Sequence, residues 1–224
     1  MTPRRAPRVA VFDFDGTLID SLPLVLAAIT HAVEGFGPRP TKEIFATLGG
    51  PPERFLVPLL HDPGDLPVAL ERLMRFHREN SHLMEPFAGA DAVLEALAMT
   101  GVPVALWTGR DRHSTARLLG LRGWTERFAA IVCGDDFASH KPEPEGLQAI
   151  LARIGVPASE AILVGDSDVD VLGGAAAGVD TVLIAHGRAV PPVIAARAWC
   201  IVASPPEAYA SVLHMIGGAG KPTG

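Results

Sequence analysis

Two carboxylates, Asp13 and Asp15, stand two positions apart where the apolar run Val9-Ala10-Val11-Phe12 gives way to a glycine turn. A turn accounts for Asp15-Gly16, because Asp and Gly favour such bends. It gives no reason for Asp13 between Phe12 and Phe14, where a lone carboxylate in an apolar strand is costly. Both acids would leave the strand at its carboxyl end, where open α/β sheets place their ligands. The pair is therefore read as chemical machinery.

Three further segments add complementary groups. Ala105-Leu106-Trp107-Thr108-Gly109-Arg110 ends an apolar run with a hydroxyl and a glycine, just before a helix expected to start near Asp111. Such a place offers an anion a side-chain hydroxyl and backbone N–H groups. Ser139-His140-Lys141-Pro142 puts a cation in a loop beyond a strand ending near Cys133. Gly165-Asp166-Ser167-Asp168-Val169-Asp170 crowds three carboxylates into five positions, with Asp166 and Asp170 on one face if a helix begins there. Capping alone could explain Ser167 or Asp168. The crowding is most readily relieved by a cation, and the hard oxygen ligands favour Mg²⁺, with Ca²⁺ as the alternative. Together the four segments supply the parts of phosphoryl-transfer chemistry.

Those segments need a frame. Short apolar runs at 9–12, 102–107, 130–133, 161–164, 181–184 and 199–202, mostly separated by helical patterns, predict a parallel sheet with helices on both faces. About ninety residues separate the first two strands, far more than an ordinary crossover needs. Helical periodicity at 21–35, 41–48, 52–60 and 65–82 fills that interval. The expected architecture is α/β: a Rossmann-like core over 1–20 and 87–216, an all-helical cap over 21–86, and a flexible tail over 217–224. Gly173, Gly174, Ala175, Ala176 and Ala177 would let one helix lie close to the sheet.

Composition narrows the class. A formal charge of −6 and no basic block beyond Arg4, Arg5 and Arg8 argue against nucleic acid, and that short cluster is expected to be a solvated arm. No apolar run approaches the roughly 20 residues of a membrane span, and the first residues carry no apolar signal core. A cytoplasmic protein is expected. Cys133 and Cys200 lack ligand spacing and are expected to be buried free thiols; the eight histidines are scattered. The residues carry no signal of oligomeric state.

The order Asp13-Phe14-Asp15-Gly16-Thr17-Leu18-Ile19-Asp20-Ser21, then Thr108, Lys141-Pro142 and Gly165-Asp166-Ser167-x-x-Asp170, resembles the haloacid dehalogenase superfamily. All four of its motifs are present in order, and the layout resembles the helical-cap branch of phosphoglycolate phosphatases and β-phosphoglucomutases. The resemblance implies that Asp13 is a nucleophile forming an aspartyl-phosphate and that Asp15 is the acid and then the base. It implies that Thr108, Gly109 and Lys141 hold the phosphoryl group. Mg²⁺ would be held by the Asp13 side chain, the Asp15 carbonyl and Asp166, with Asp170 supporting from behind. Arg110 either reaches substrate or is a solvated helix-start arginine. Arg54, beside the loop Leu48-Gly49-Gly50-Pro51-Pro52, either contacts substrate or lies on a helix surface.

The expected function is Mg²⁺-dependent hydrolysis of a small phosphorylated metabolite at a cap–core cleft. A sugar phosphomutase would use the same core, and a non-catalytic metal-binding module would need fewer of these groups. Dehalogenation is disfavoured by Asp15. Phosphonate cleavage is disfavoured because the cap offers only Lys42 for a Schiff base.

Overall fold

The computed structural model describes residues 6–41 and 52–217. Its strands are β1 (Val9–Phe12), β2 (Ile19–Asp20), β3 (Glu85–Pro86), β4 (Val104–Trp107), β5 (Ala130–Val132), β6 (Ala161–Gly165), β7 (Asp180–Ile184) and β8 (Cys200–Val202). The helices are α1 (Leu22–Val33), α2 (Glu53–Leu56), α3 (Leu66–Asn80), α4 (Ala90–Thr100), α5 (Arg112–Arg122), α6 (Glu145–Ile154), α7 (Asp168–Ala177), α8 (Pro192–Ala195) and α9 (Pro205–Ile216). The chain forms two compact units, Asp20–Glu85 and the remainder on either side of it.

The larger unit holds a six-stranded sheet in the order β5-β4-β1-β6-β7-β8, with every neighbouring pair parallel. Such strands are buried on both faces, which is why β1 and β4 read as unbroken apolar runs. Alternation still assigns each side chain to a face. Val9, Val11, Ala105 and Trp107 join Leu147, Ile150 and Leu151 of α6 in one core, while Phe12 points the other way and meets Tyr209 of α9 edge-on. Asp13 continues the Val9–Val11 register by one more step. The chain fills β4 and β5 on one side of β1, then returns to β6 on the other, so β1 lies at the point where strand order reverses.

Small residues bring the flanking helices in. A Cβ at Gly173 would come 2.6 Å from the Trp107 ring, and one at Gly174 would come 2.1 Å from the Thr181 hydroxyl. The glycine-rich stretch of α7 is thus a packing device. α4, α5 and α7 end on glycines in the left-handed conformation, Gly101, Gly123 and Gly178, which closes each last turn.

The smaller unit is helical. Ile29, Ala32 and Val33 of α1, Leu56 of α2 and Ala69 of α3 form its core, and Arg72 lies 4.5 Å from the Phe36 ring centre while donating to the Glu34 carbonyl. Periodicity predicted one helix over 52–60, but α2 stops at Leu56 and a 3₁₀ turn follows over Val57–Leu59. Pro58 has no N–H to continue the α ladder. The helix expected over 41–48, Lys42, and Leu48-Gly49-Gly50-Pro51 lie outside the described residues, as does 218–224.

Arg8 is exposed, as expected of the arm, and its guanidinium donates to Glu160 at 3.1 Å; Arg4 and Arg5 lie outside the described residues. Cys133 is buried as expected, whereas Cys200, expected to be buried, is only half-buried; neither is in a disulfide. No helix among the described residues is long and apolar enough to cross a membrane.

Candidate active site

The carboxyl ends of β1, β4 and β6 and the loop after β5 supply the candidate residues. The Asp13 N–H donates to the Val164 carbonyl at 2.8 Å, extending the β1–β6 ladder by one residue and fixing the side chain at the sheet edge. The chain then turns sharply: the Phe14 carbonyl accepts from Leu18 and Ile19, and Gly16 adopts φ of 76°. Only glycine suits that turn, because a Cβ there would also sit 2.1 Å from Asp166 Oδ2. The first motif is therefore shaped to press its backbone against the fourth.

Lys141 ties the site together. Its Nζ donates to Asp13 Oδ1 at 2.6 Å and to Asp170 Oδ1 at 2.7 Å, with all three side chains nearly sealed from solvent. The ammonium also stands 4.8 Å from the Trp107 ring, a cation–π contact on an apolar floor. Gly146 and Gly173 make room for that ring, since a Cβ on either would come 2.6 Å from it. Trp107 was not singled out in the sequence; its only signal was an aromatic ring immediately before Thr108.

Asp170 is positioned differently from the expected helix-face arrangement with Asp166. Helix α7 begins at Asp168, so Asp166 precedes it, and Asp170 turns back to accept from the Ser167 N–H at 3.1 Å and hydroxyl at 2.5 Å. This capping box leaves the other Asp170 oxygen for Lys141. Gly165 opens the space, because a Cβ there would lie 2.3 Å from the Asp170 carboxyl carbon.

Asp13, Asp166 and Asp170 each offer an oxygen within a 4.8 Å cluster. Burial, partly offset by Lys141, pushes the Asp13 carboxyl up to about 7. Asp166 is raised as well, by burial and then by repulsion from Asp13 and Asp170. Burial alone would lower Lys141, but Asp13 and Asp170 outweigh it and hold the ammonium above its ordinary range. Among the described residues, three acids cluster around one lysine, a group short of positive charge. A hard divalent cation fits that deficit and that all-oxygen donor set.

Asp15 has other surroundings. Arg110 donates to it twice, Nε to Oδ2 at 3.0 Å and Nη2 to Oδ1 at 2.5 Å. Of the two readings of Arg110, the solvated helix-start one is overturned, for its side chain is 8% exposed. Burial works against the guanidinium charge and Asp15 outweighs it, raising Arg110 above its ordinary value. Thr108 is buried; its N–H donates to the Val132 carbonyl and its hydroxyl accepts from the Arg110 N–H at 3.1 Å. The hydroxyl proton is thus directed away from Arg110, available to an anion. Gly109 is exposed beside it.

Two residues outside the motifs brace the same loops. His186, in the left-handed region at φ of 49°, places Nε2 2.6 Å from the Gly16 carbonyl. Arg188 donates to the Asp166 carbonyl and to Asp168. Neither was anticipated, and the only sequence signal was a histidine before Gly187 just past a strand. Arg54 belongs to the helical unit, exposed on α2.

A family model described as haloacid dehalogenase-like hydrolase matches residues 10–184. A phosphoglycolate phosphatase of Pseudomonas fluorescens is 33% identical over 82% of this chain and 71% of its own length. A pyrophosphatase of Halalkalibacterium halodurans is 31% identical over 79% of this chain and 82% of its own. Among solved structures, a subfamily IA hydrolase of the same superfamily from Geobacter sulfurreducens superposes with a TM-score of 0.73 at 26% identity, covering 98% of this chain and 99% of that one. A predicted phosphoglycolate phosphatase from Haemophilus somnus gives 0.80 at 20% identity over 94% and 98%, a likeness of fold. By motif order, sheet topology and these matches, the chain belongs to the haloacid dehalogenase-like hydrolase family, among its phosphatases.

Proposed function

We propose that this chain hydrolyses a small phosphate monoester with Mg²⁺, through an aspartyl-phosphate on Asp13. The observation that carries the reading is the buried Asp13, fixed by Lys141 inside a carboxylate cluster at the switch point of the sheet. In this reading Asp13 attacks phosphorus while Lys141 offsets the charge that builds on the phosphoryl oxygens. The Thr108 hydroxyl and the N–H groups after it hold those oxygens. Asp15 protonates the departing alkoxide and then takes a proton from the water that cleaves the phosphoenzyme. Asp13, the Asp15 carbonyl and Asp166 would hold Mg²⁺, with Asp170 orienting Lys141 and Ser167. When bound, the ion supplies positive charge beside the phosphate and screens it from the attacking carboxylate.

The core in this reading is 1–20 with 87–216, and the helical unit is its cap, with Arg54 as a substrate contact. The names of the relatives support phosphoglycolate as the first substrate to try. The test is phosphate release from a panel of small monoesters with Mg²⁺ or chelator, using Asp13→Asn as the blank. Metal-dependent release that disappears in the variant is expected. Silence across the panel, with conversion of a hexose 1-phosphate to its 6-phosphate, would replace the hydrolase by the mutase.

A further inference from the structure

Arg110 is one residue beyond the proposed phosphate-binding Thr108-Gly109 pair, and its guanidinium turns to Asp15. The bond is two-pronged, Nε to Oδ2 and Nη2 to Oδ1, so both carboxylate oxygens are engaged and the plane of the group is set. Asp15 needs such a hold. Its side chain is 35% exposed, and it sits on the Gly16 turn rather than in a strand. Arg110 itself is well anchored. Its N–H donates to the Thr108 hydroxyl and its carbonyl accepts from the Gly134 N–H at 2.8 Å. Gly134 permits that approach, for a Cβ there would lie 2.2 Å from the Gly109 carbonyl oxygen. The frame of β4 and the loop after β5 is thereby transmitted to a carboxylate on the β1 turn.

Building on the function given above, we propose that Arg110 is a positioning residue for the acid/base aspartate: its fork holds the Asp15 carboxylate aimed at the leaving oxygen and later at the attacking water. Lysine cannot replace it, because an ammonium is a point charge without the planar fork. The rival role, direct contact with the substrate phosphate, makes different predictions.

The experiment is a double-mutant cycle with Arg110→Met and Arg110→Lys, each alone and with Asp15→Asn. Two quantities are read with Mg²⁺ present: steady-state kcat and KM for phosphoglycolate, and the single-turnover burst of p-nitrophenol from p-nitrophenyl phosphate. Arg110→Met is expected to lower kcat for the alkyl ester about 10²-fold, the usual consequence of a reacting group misplaced by an ångström, with KM nearly unchanged. Arg110→Lys should recover little of that loss. In the Asp15→Asn background either change should alter the burst by no more than about twofold, since p-nitrophenolate departs without an acid and no carboxylate is left there for the fork to hold. The proposal is overturned if Arg110→Met lowers the p-nitrophenol burst in the Asp15→Asn background by as large a factor as it lowers kcat for phosphoglycolate when Asp15 is present, if the loss lies in KM, or if lysine restores full turnover. A wild-type protein that releases no phosphate from either ester would instead overturn the function on which the proposal rests.

Discussion

The two aspartates of the first motif are separated by one residue, yet they end in opposite electrostatic settings. Asp13 is buried among Asp166 and Asp170 with a single lysine, a cluster with more negative than positive charge. Asp15 is half-open and held by a forked arginine. The alternation of the strand sends Asp13 onto the α6–α7 side, where Lys141 and the fourth motif lie, while the Gly16 turn carries Asp15 toward Arg110. Identical side chains are thus divided between a lysine inside a carboxylate cluster and a forked arginine, the division that the proposed nucleophile and proton-transfer roles call for, and the backbone makes it.

Changes at the two aspartates should separate these halves most sharply. Asp13→Asn keeps the Lys141 side-chain contact in shape but removes the proposed nucleophile, and turnover should fall by at least about 10³-fold while the melting profile stays cooperative. Residual turnover near the wild-type rate would end the distinction. Asp15→Asn should spare formation of the phosphoenzyme from p-nitrophenyl phosphate while slowing it about 10²-fold for alkyl esters, as loss of a general acid does. Equal losses for both leaving groups would show that the second half has no separate task.

Gly16 lies between the halves, so Gly16→Ala should harm both. The new methyl would meet Asp166 and the φ of 76° would be strained, costing about 1–2 kcal/mol from the conformation alone. A lower melting temperature together with weakened Mg²⁺ binding by calorimetry is expected.

The Asp13 half should also respond to pH through its own carboxyl. In the metal-free fold that carboxyl keeps its proton up to about 7, whereas the unfolded chain releases it near 3.8. The folded state binds the extra proton, so metal-free stability should decline as pH rises through that window, and Asp166 adds in the same direction. Mg²⁺ should reverse the decline and release protons on binding. Melting temperatures from pH 4 to 8, with chelator and with Mg²⁺, would read this directly; parallel curves would remove the charge deficit from the account. The smallest effect belongs outside both halves. Tyr209→Phe removes the bond to the Thr17 carbonyl, 2.6 Å long in the buried core, and should cost about 1–2 kcal/mol of stability with kcat within about twofold.

Much of this arrangement was legible because it is local. The strands announce themselves as apolar runs, and each candidate acid or cation follows one at a turn. Legibility failed where partners are distant or one residue overrides a pattern. Nothing near Arg110 points to Asp15, which is 95 residues away in sequence, and a helix-start arginine is normally solvated. Asp166 and Asp170 have helical spacing, but Ser167 draws Asp170 back into a cap and starts the helix after Asp166. Pro58 ends a helix that apolar periodicity would continue. The two-residue strands β2 and β3 pair with each other, but they are too short to carry a pattern of their own.

The measurement that meets the central claim most directly is the covalent state of Asp13 during turnover. Asp15→Asn protein, mixed with Mg²⁺ and p-nitrophenyl phosphate and quenched in acid, should carry one phosphoryl group per chain. Reduction with borohydride should then convert residue 13 alone to homoserine, seen by mass spectrometry of the peptide that spans β1. Phosphate release in the wild type with the label on another residue would contradict the assignment of Asp13 as the nucleophile.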